Sequence, residues 1–168
     1  QSQSQDEFWF TCVPDEVADD VQSCGATSFR EVEISLDGIP AGVAPVYPWM
    51  YTGCIDPYLW TPIPGVQALN FVPFRVDLTP FACVLSDGRP HTVSISVYNA
   101  SDYFLADGAM LLHLDQGSSQ VTGELTKNTL VSNPDPNPSI INGLVVDDDS
   151  ITGQVSVTSA REFVTAGY

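Results

Sequence analysis

The sequence predicts an all-β protein, built as an antiparallel jelly-roll β-sandwich. Apolar and polar residues alternate with a period of two in several segments, which is typical of strands with one buried and one wet face. No segment carries the 3.6-residue apolar stripe of an amphipathic helix. Asp-Gly turn signals separate the alternating segments, and many short strands joined by turns indicate a sandwich.

The alternation is clearest in three segments, whose apolar positions are Val32, Ile34 and Leu36, then Phe74, Val76 and Leu78, then Val93, Ile95 and Val97. In the first of these, Glu31 and Glu33 fall on the wet face. Weaker patterns predict strands at residues 7–13, 110–114, 120–125, 144–146 and 154–157, and an unfinished strand from residue 161. Turn signals lie at Asp37-Gly38, Asp87-Gly88 and Asp107-Gly108.

The length of 168 residues fits one domain of ordinary size. We expect residues 1–5 to form a disordered polar leader and residues 6–168 to form a single domain. Because the last segment resembles a strand that stops without a turn, we also expect the chain to be a fragment of a larger protein.

The charge of the chain excludes two classes of partner. There are 21 acidic residues against 5 basic ones, for a formal net charge of -16. Such a chain repels nucleic-acid phosphates and anionic membrane surfaces. No apolar run approaches the roughly 20 residues of a membrane span. We therefore expect no nucleic acid and no membrane among its partners.

The four cysteines favour disulfides over a metal site. They show no Cys-x-x-Cys spacing, and the chain has only two histidines, so the sequence gives no sign of a zinc site. Cys12 and Cys24 bracket a short loop that a local disulfide would close, which leaves Cys54 to pair with Cys83. The triple Asp147-Asp148-Asp149 lacks the alternating ligand spacing of calcium loops and is interpreted as a turn. We expect no metal and no cofactor.

Disulfides point to an oxidising compartment, and so does the sequon Asn99-Ala100-Ser101. Asn99 follows a predicted strand, where we expect it to be exposed and glycosylated. Together these features predict a secreted, extracellular protein.

The segment 41–65 concentrates rings and prolines. Its aromatic residues are Tyr47, Trp49, Tyr51, Tyr58 and Trp60. The prolines between them hold the backbone extended, as in a platform for a polysaccharide or a peptide. Alternatively, the rings cover one end of the sandwich core, since aromatic residues are routine in cores.

An ordered set of motifs resembles a known family. The set comprises Asp6-Glu7-Phe8-Trp9-Phe10 with Pro14-Asp15-Glu16, Phe29-Arg30-Glu31-Val32 with Leu36-Asp37-Gly38, Tyr51-Thr52-Gly53-Cys54-Ile55-Asp56-Pro57 with Leu59-Trp60 and Pro62-Ile63, Asp77-Leu78-Thr79-Pro80-Phe81, and Leu85-x-Asp87-Gly88-x-Pro90-His91. In this order it is similar to the acidic peptide-N-glycosidases of the almond type, from about residue 6 to residue 115 and more weakly beyond. Cys54 stands where the family would have glycine.

The resemblance implies an amidase that hydrolyses the bond between asparagine and the first N-acetylglucosamine of N-glycoproteins, leaving aspartate. The bond is an amide, so the two-carboxylate geometry of glycosidases does not carry over, but carboxylates remain the expected acid and base. It also implies that this chain is the second of two side-by-side jelly rolls and a proteolytic fragment of the enzyme. The first jelly roll, with the principal catalytic aspartate, would belong to a companion polypeptide from the same precursor, without which this chain is inactive.

Within this chain Glu16 is the expected catalytic or substrate-positioning carboxylate, because it matches the family's Pro-x-Glu in the loop between Cys12 and Cys24. Asp15 beside it is placed with the substrate-binding residues. The alternative for Glu16 is a solvated loop acid among several others. Asp56 could hydrogen-bond a sugar hydroxyl or an N-acetyl group, or form a turn before proline.

Aromatic and basic side chains complete the expected substrate site. Trp49, Trp60 and Tyr51 could stack on sugar faces or pack in the core. Arg30 could reach a substrate carbonyl, but the glutamates beside it favour a surface ion pair.

Two other classes of protein stay open: a non-catalytic carbohydrate-binding module and a structural jelly roll that binds nothing in particular. Dependence on a companion chain separates them from the amidase, since a module is complete alone. A serine hydrolase using His91 or His113 is disfavoured by the absence of a nucleophile-elbow motif.

Overall fold

The computed structural model describes residues 5–46, 73–118 and 120–168. Its strands are β1 Glu31–Leu36, β2 Ile39–Pro45, β3 Val93–Tyr98, β4 Leu125–Asn128, β5 Ser139–Asp147, β6 Ser150–Thr158 and β7 Thr165–Gly167. Its helices are short: α1 Asp15–Ala18, α2 Ala82–Leu85 and the 3-10 segments Gln5–Thr11, Thr79–Phe81 and Thr129–Ser132. All strand pairs are antiparallel, which confirms the all-β class. None of the described helices has the length and apolar character that crossing a membrane requires.

The largest sheet of the described residues has the order β2-β1-β3. Strand β1 pairs with β3 through Val32 opposite Val97 and Ile34 opposite Ile95. The hairpin from β1 to β2 turns at Asp37 and Gly38, both with positive φ (50° and 80°), as a two-residue type I′ turn requires. The predicted Asp-Gly turn is therefore confirmed, and it fixes the register in which β2 runs back along β1.

Two further sheets have two strands each, β4 with β7 and β5 with β6. The β5–β6 hairpin is paired from Ser139 opposite Thr158 to Asp147 opposite Ser150. Its turn is made by Asp148 and Asp149, which confirms the interpretation of the acidic triple as a turn. The described residues place these strands in three separate sheets, so the jelly-roll arrangement stays a prediction.

The apolar core of the described residues lies where the first hairpin meets the segment before β3. Leu36, Ala41 and Phe81 are buried there, with Leu78, Val84, Leu85 and Leu125 packed around them. Gly42 lies at a close approach, because a Cβ at that position would meet the Val76 side chain at 2.3 Å. Strand β2 carries this glycine between two prolines, which interrupts the alternation and hides the strand from sequence analysis.

Several predicted strands are wrong. Residues 7–13 lie mostly in a 3-10 segment, where local bonds such as Cys12 N–H to Trp9 O (3.1 Å) replace a ladder. Residues 74–78 form no strand, and the Asp77 carboxylate accepts a hydrogen bond from the backbone N–H of Thr79 at the start of the following 3-10 turn. Residues 110–114 also form no strand, and the segment 120–125 is a strand only at its last residue. Alternation signals a strand only where a partner completes the ladder. The turn predicted at Asp107-Gly108 does not form either.

A histidine held between two carboxylates joins the first hairpin to the start of β3. His91 Nδ1 lies 2.7 Å from Asp37 Oδ2, and Nε2 lies 2.9 Å from Asp87 Oδ1, with the ring 11% exposed. Carboxylate oxygens only accept hydrogen bonds, so the protonated ring, with a proton on each nitrogen, satisfies both contacts. These bonds, led by that to Asp37, raise the pKa of His91. The pKa values of Asp37 and Asp87 are lowered, first by the backbone N–H groups of Thr92 and Arg89 respectively.

This clamp makes stability depend on pH in a defined direction. Because the pKa of His91 is raised in the folded state, His91 stabilises the fold at pH values below its pKa in the unfolded state. This stabilisation is lost as the pH rises through the pKa of the folded state. The two aspartates stabilise the fold at pH values above their pKa in the unfolded state. This stabilisation is lost as the pH falls through their lowered pKa values in the folded state. We predict that His91→Gln lowers the melting temperature most at about pH 5 and least at about pH 9.

The control is His113→Gln, since His113 is exposed and outside the clamp. Thermal unfolding followed by circular dichroism measures both variants across the pH range. If His91→Gln lowered the melting temperature by the same amount at acidic and at alkaline pH, the result would contradict a protonated His91 in the clamp.

Candidate functional site

The loop between Cys12 and Cys24 is closed by the predicted disulfide. Within it, α1 turns Val17 and Ala18 inward, where both are buried, and leaves Asp15 and Glu16 exposed. Asp15 Oδ1 accepts a hydrogen bond from the backbone N–H of Ala26 at 2.7 Å, which fastens the helix to the segment after the disulfide. Glu16 makes no hydrogen bond or ion pair with another described residue. The loop therefore presents a free carboxylate from a helix that is held at both ends.

Arg30 is one of the residues that attach this loop to the β2-β1-β3 sheet. It is only 2% exposed, so the expectation of a surface ion pair is wrong. Its Nη1 donates to the carbonyl oxygens of Thr27 (2.9 Å) and Phe29 (2.8 Å), and its Nη2 lies 3.6 Å from Cys12 Sγ. Buried backbone carbonyls need donors, and a buried guanidinium needs acceptors, so each satisfies the other.

A cavity of about 310 Å³ opens beside Arg30. Its lining comprises Trp9, Ser28, Phe29, Arg30, Glu31, Val43, Pro45, Val46, Ser159 and Arg161. These residues come from the first 3-10 segment, the start of β1, the end of β2 and the chain after β6. The volume lies at the lower end of the range for small-molecule sites, about 300–1,000 Å³.

Two opposite charges are buried at the wall of this cavity. Arg161 Nε lies 3.4 Å from Glu31 Oε1, and the two side chains are 10% and 7% exposed. Arg161 Nη2 donates to the Pro134 carbonyl at 2.6 Å. Glu31 Oε1 and Arg161 Nη1 have no hydrogen-bond partner in the described part of the chain.

Burial raises the pKa of Glu31, because desolvation disfavours the carboxylate. The positive charge of Arg161 opposes this rise in pKa, and the nearby charge of Glu33 adds to it. The cavity thus offers a titratable group, two guanidinium groups and two aromatic rings.

Sequence analysis missed Glu31 and Arg161. Alternation assigned Glu31 to the wet face of β1, whereas the structure buries it against a residue from the far end of the chain. The available signal was the scarcity of basic residues: of five in the chain, two line this one cavity.

The other predicted site residues fall into two groups. Arg30 lines the cavity, whereas Glu16 and Asp15 do not. Asp56, Trp49, Trp60, Tyr51 and Cys54 lie outside the described residues, as does most of the aromatic segment. Its described beginning, residues 41–46, supplies three cavity residues from the end of β2.

Cys83 is half-buried and forms no disulfide with another described residue. Its predicted pairing with Cys54 stays a prediction. Among the ranges described, no cluster of three or more His, Cys, Asp or Glu side chains is arranged to hold a metal ion.

Asn99 directly follows β3, as expected, but it is half-buried rather than exposed. Its Nδ2 donates to the Ala26 carbonyl at 2.6 Å, and its backbone has a φ of 60°. The side chain therefore helps to hold the loop that follows Cys24. Its glycosylation stays a prediction.

The disulfide should contribute substantially to stability. Closing a loop of this length lowers the entropy of the unfolded chain, so we predict that Cys12→Ser combined with Cys24→Ser costs about 2–4 kcal/mol. Urea unfolding of the variant and of the native protein measures the difference. Non-reducing peptide mapping is the control, and it should recover the Cys12–Cys24 peptide. Equal unfolding midpoints would contradict the prediction.

Comparisons with known proteins agree on one family. The family model described as "Peptide N-acetyl-beta-D-glucosaminyl asparaginase amidase A" matches residues 1–130. A protein of Prunus dulcis, "Peptide-N4-(N-acetyl-beta-glucosaminyl)asparagine amidase A", is 30% identical over 166 residues, which cover 97% of this chain. The chain spans only 28% of the length of that relative. No solved structure matches the chain.

Proposed function

Since the chain belongs to the peptide-N-glycosidase A family, we propose that it is part of a secreted amidase that acts on N-glycoproteins. The enzyme hydrolyses the amide between asparagine and the first N-acetylglucosamine, releases the glycan and leaves aspartate. The observation that carries the proposal is the family match over residues 1–130. The disulfide supports secretion, because disulfides persist in oxidising compartments.

The proposed chemistry needs an acid and a base, since an amide nitrogen must be protonated to leave and water must be deprotonated to attack. We assign one of these roles, or the positioning of the substrate, to Glu16. This assignment is supported by the position of Glu16 in the loop. The disulfide and the hydrogen bond from Ala26 N–H to Asp15 hold α1 in place, and the Glu16 carboxylate is exposed. Rigid support of this kind keeps a catalytic group in place.

Substrate binding is assigned to Asp15, Arg30, Asp56 and the rings of Trp49, Tyr51 and Trp60. The assignment of Arg30 to substrate binding is supported by its position in the cavity wall. The assignment of the residues from the aromatic segment is supported by chain continuity, because Val43, Pro45 and Val46 at the beginning of this segment line the same cavity. Aromatic faces of this type stack on sugar rings.

A companion polypeptide with the first jelly roll is the proposed partner, and this chain is the second jelly roll. The chain spans 28% of the length of its almond relative, so most of such an enzyme lies outside these 168 residues. The described part also exposes large apolar side chains that a partner could cover, among them Leu105, Leu111 and Leu114 at 79–83% exposed.

We predict that the 168-residue chain alone releases no glycan, whereas the assembled enzyme does. The assay incubates each with a glycopeptide and follows both the free glycan and the conversion of asparagine to aspartate by mass spectrometry. Full activity of the isolated chain would overturn the need for a companion. Glycan binding by the isolated chain, with no hydrolysis in any assembly, would favour the carbohydrate-binding module instead.

In the assembled enzyme we predict that Glu16→Gln lowers turnover by about 10²-fold or more, because the isosteric amide can neither donate nor take the catalytic proton. The matched control is Asp20→Asn, which removes an exposed acid from the same loop and should leave turnover unchanged. Trp60→Ala should mainly raise KM if the ring stacks on the sugar. Native turnover of Glu16→Gln would remove Glu16 from the catalytic residues and leave the family membership intact.

A further inference from the structure

Two residues that follow the disulfide hold a conformation that their side chains disfavour. Ala26 and Thr27 have φ values of 61° and 62°, in the left-handed region, which a β-branched residue such as threonine rarely adopts. Such a conformation persists only where the surrounding contacts determine it, and residues that hold it cluster at active sites and ligand clamps. The left-handed pair of Ala26 and Thr27 therefore marks a candidate functional constraint.

Contacts with nearby parts of the chain hold Thr27, which is buried. Its N–H donates to the Val13 carbonyl at 3.1 Å, and its carbonyl accepts from Arg30 Nη1 at 2.9 Å. Val13 and Arg30 both belong to the same end of the chain as the loop closed by the disulfide. These two bonds therefore fix the left-handed pair relative to the loop and to the start of β1.

Side chains bind Ala26 from both sides. Its N–H donates to Asp15 Oδ1 at 2.7 Å, and its carbonyl accepts from Asn99 Nδ2 at 2.6 Å. Gly25 permits the first of these bonds, because a Cβ at that position would collide with Asp15 Oδ1. A path of two hydrogen bonds thus runs from the end of β3, through Ala26, to the first residue of α1. Glu16 is the next residue of that helix, and it is exposed.

Asn99 suits this position for two reasons. Its backbone has a φ of 60°, which asparagine adopts more readily than most residues with a side chain. Its amide group also supplies the donor that the Ala26 carbonyl needs. A glycan attached to Nδ2 would leave one proton on that nitrogen, so the bond to Ala26 does not depend on whether the sequon is used.

We propose that Asn99 is a positioning residue for Glu16: its bond to Ala26 holds the left-handed pair, and Ala26 in turn holds Asp15 and α1 in one place relative to β3. The role of Glu16 in hydrolysis rests on the proposed function, whereas the holding of α1 by Asn99 does not. A displaced acid or base slows the chemical step, since a displacement of about 1 Å can cost about 10²-fold in rate.

Hydrogen–deuterium exchange of the assembled enzyme, followed by mass spectrometry, tests whether Asn99 holds the loop. Asn99→Gly tolerates the left-handed backbone and removes the donor, and Asn99→Asp keeps the shape but offers only acceptors. In both variants we expect residues 14–28 to exchange about 10-fold faster, because the loop opens more often. Peptides of β5 and β6 should exchange as in the native enzyme and report that the fold is retained. Unchanged exchange of residues 14–28 would overturn the proposal.

Ser101→Ala is the matched control, because it destroys the sequon and leaves the Asn99 amide in place. We expect this variant to match the native enzyme in both exchange and turnover. If Ser101→Ala accelerated exchange as much as Asn99→Gly does, a glycan rather than the hydrogen bond would hold the loop, and the proposal would be wrong.

Kinetics of the assembled enzyme test the link to Glu16. We expect Asn99→Gly to lower kcat about 10-fold and to change KM less than about 2-fold, since the displaced group acts on the chemical step. In the Glu16→Gln background, the same substitution should lower kcat little further, because a positioning residue acts only through the group that it positions. An equal loss of kcat in both backgrounds would contradict action through Glu16.

The two proposals fail separately. Native turnover of Glu16→Gln would refute the role of Glu16 in the amidase, and with it the catalytic part of this inference, whereas the exchange measurement still decides whether Asn99 holds the loop. Native kcat of Asn99→Gly, in an enzyme that Glu16→Gln disables, would refute the positioning role and leave the amidase standing.

Discussion

The buried guanidinium of Arg30 is the interaction on which the described site depends. It is positioned between the loop closed by Cys12 and Cys24 and the first residue of β1, and it donates to carbonyls that precede the strand. Its Nη2 also lies against Cys12 Sγ, and the N–H of Cys12 binds the Trp9 carbonyl. One side chain thus contacts both the segment after the loop and the disulfide, and it lines the same cavity as Trp9. A shorter side chain would leave the Thr27 and Phe29 carbonyls without this donor and remove one of the contacts that hold the loop.

The parts of this fold that local sequence could predict are those determined by neighbours along the chain. Strands β1 and β3, the turn at Asp37-Gly38 and the disulfide between Cys12 and Cys24 each follow from a pattern within a few residues or from a short loop. The same rules predict a strand at residues 7–13, but the hydrogen bonds there close locally into a 3-10 segment.

The cavity could not be predicted in this way, because its chemistry comes from residues that are distant in sequence. Glu31 obeys the alternation of β1, and only its contact with Arg161 shows that this face is covered. Arg30 was recognised as a candidate, but the glutamates beside it suggested a solvated ion pair, and burial overturned that interpretation. Periodicity reports which residues share a face of a strand, but it does not report what packs on that face.

The hairpin turn also constrains which residues can occupy position 37. Asp37 has a positive φ of 50°, a conformation that glycine and asparagine also tolerate. Its two carboxylate oxygens are both engaged, Oδ1 by the backbone N–H of Thr92 and Oδ2 by the ring of His91. Glycine offers no oxygen, and asparagine offers one, with no charge to match the imidazolium. Two independent demands therefore meet at a single position, and aspartate is the residue that satisfies both of them.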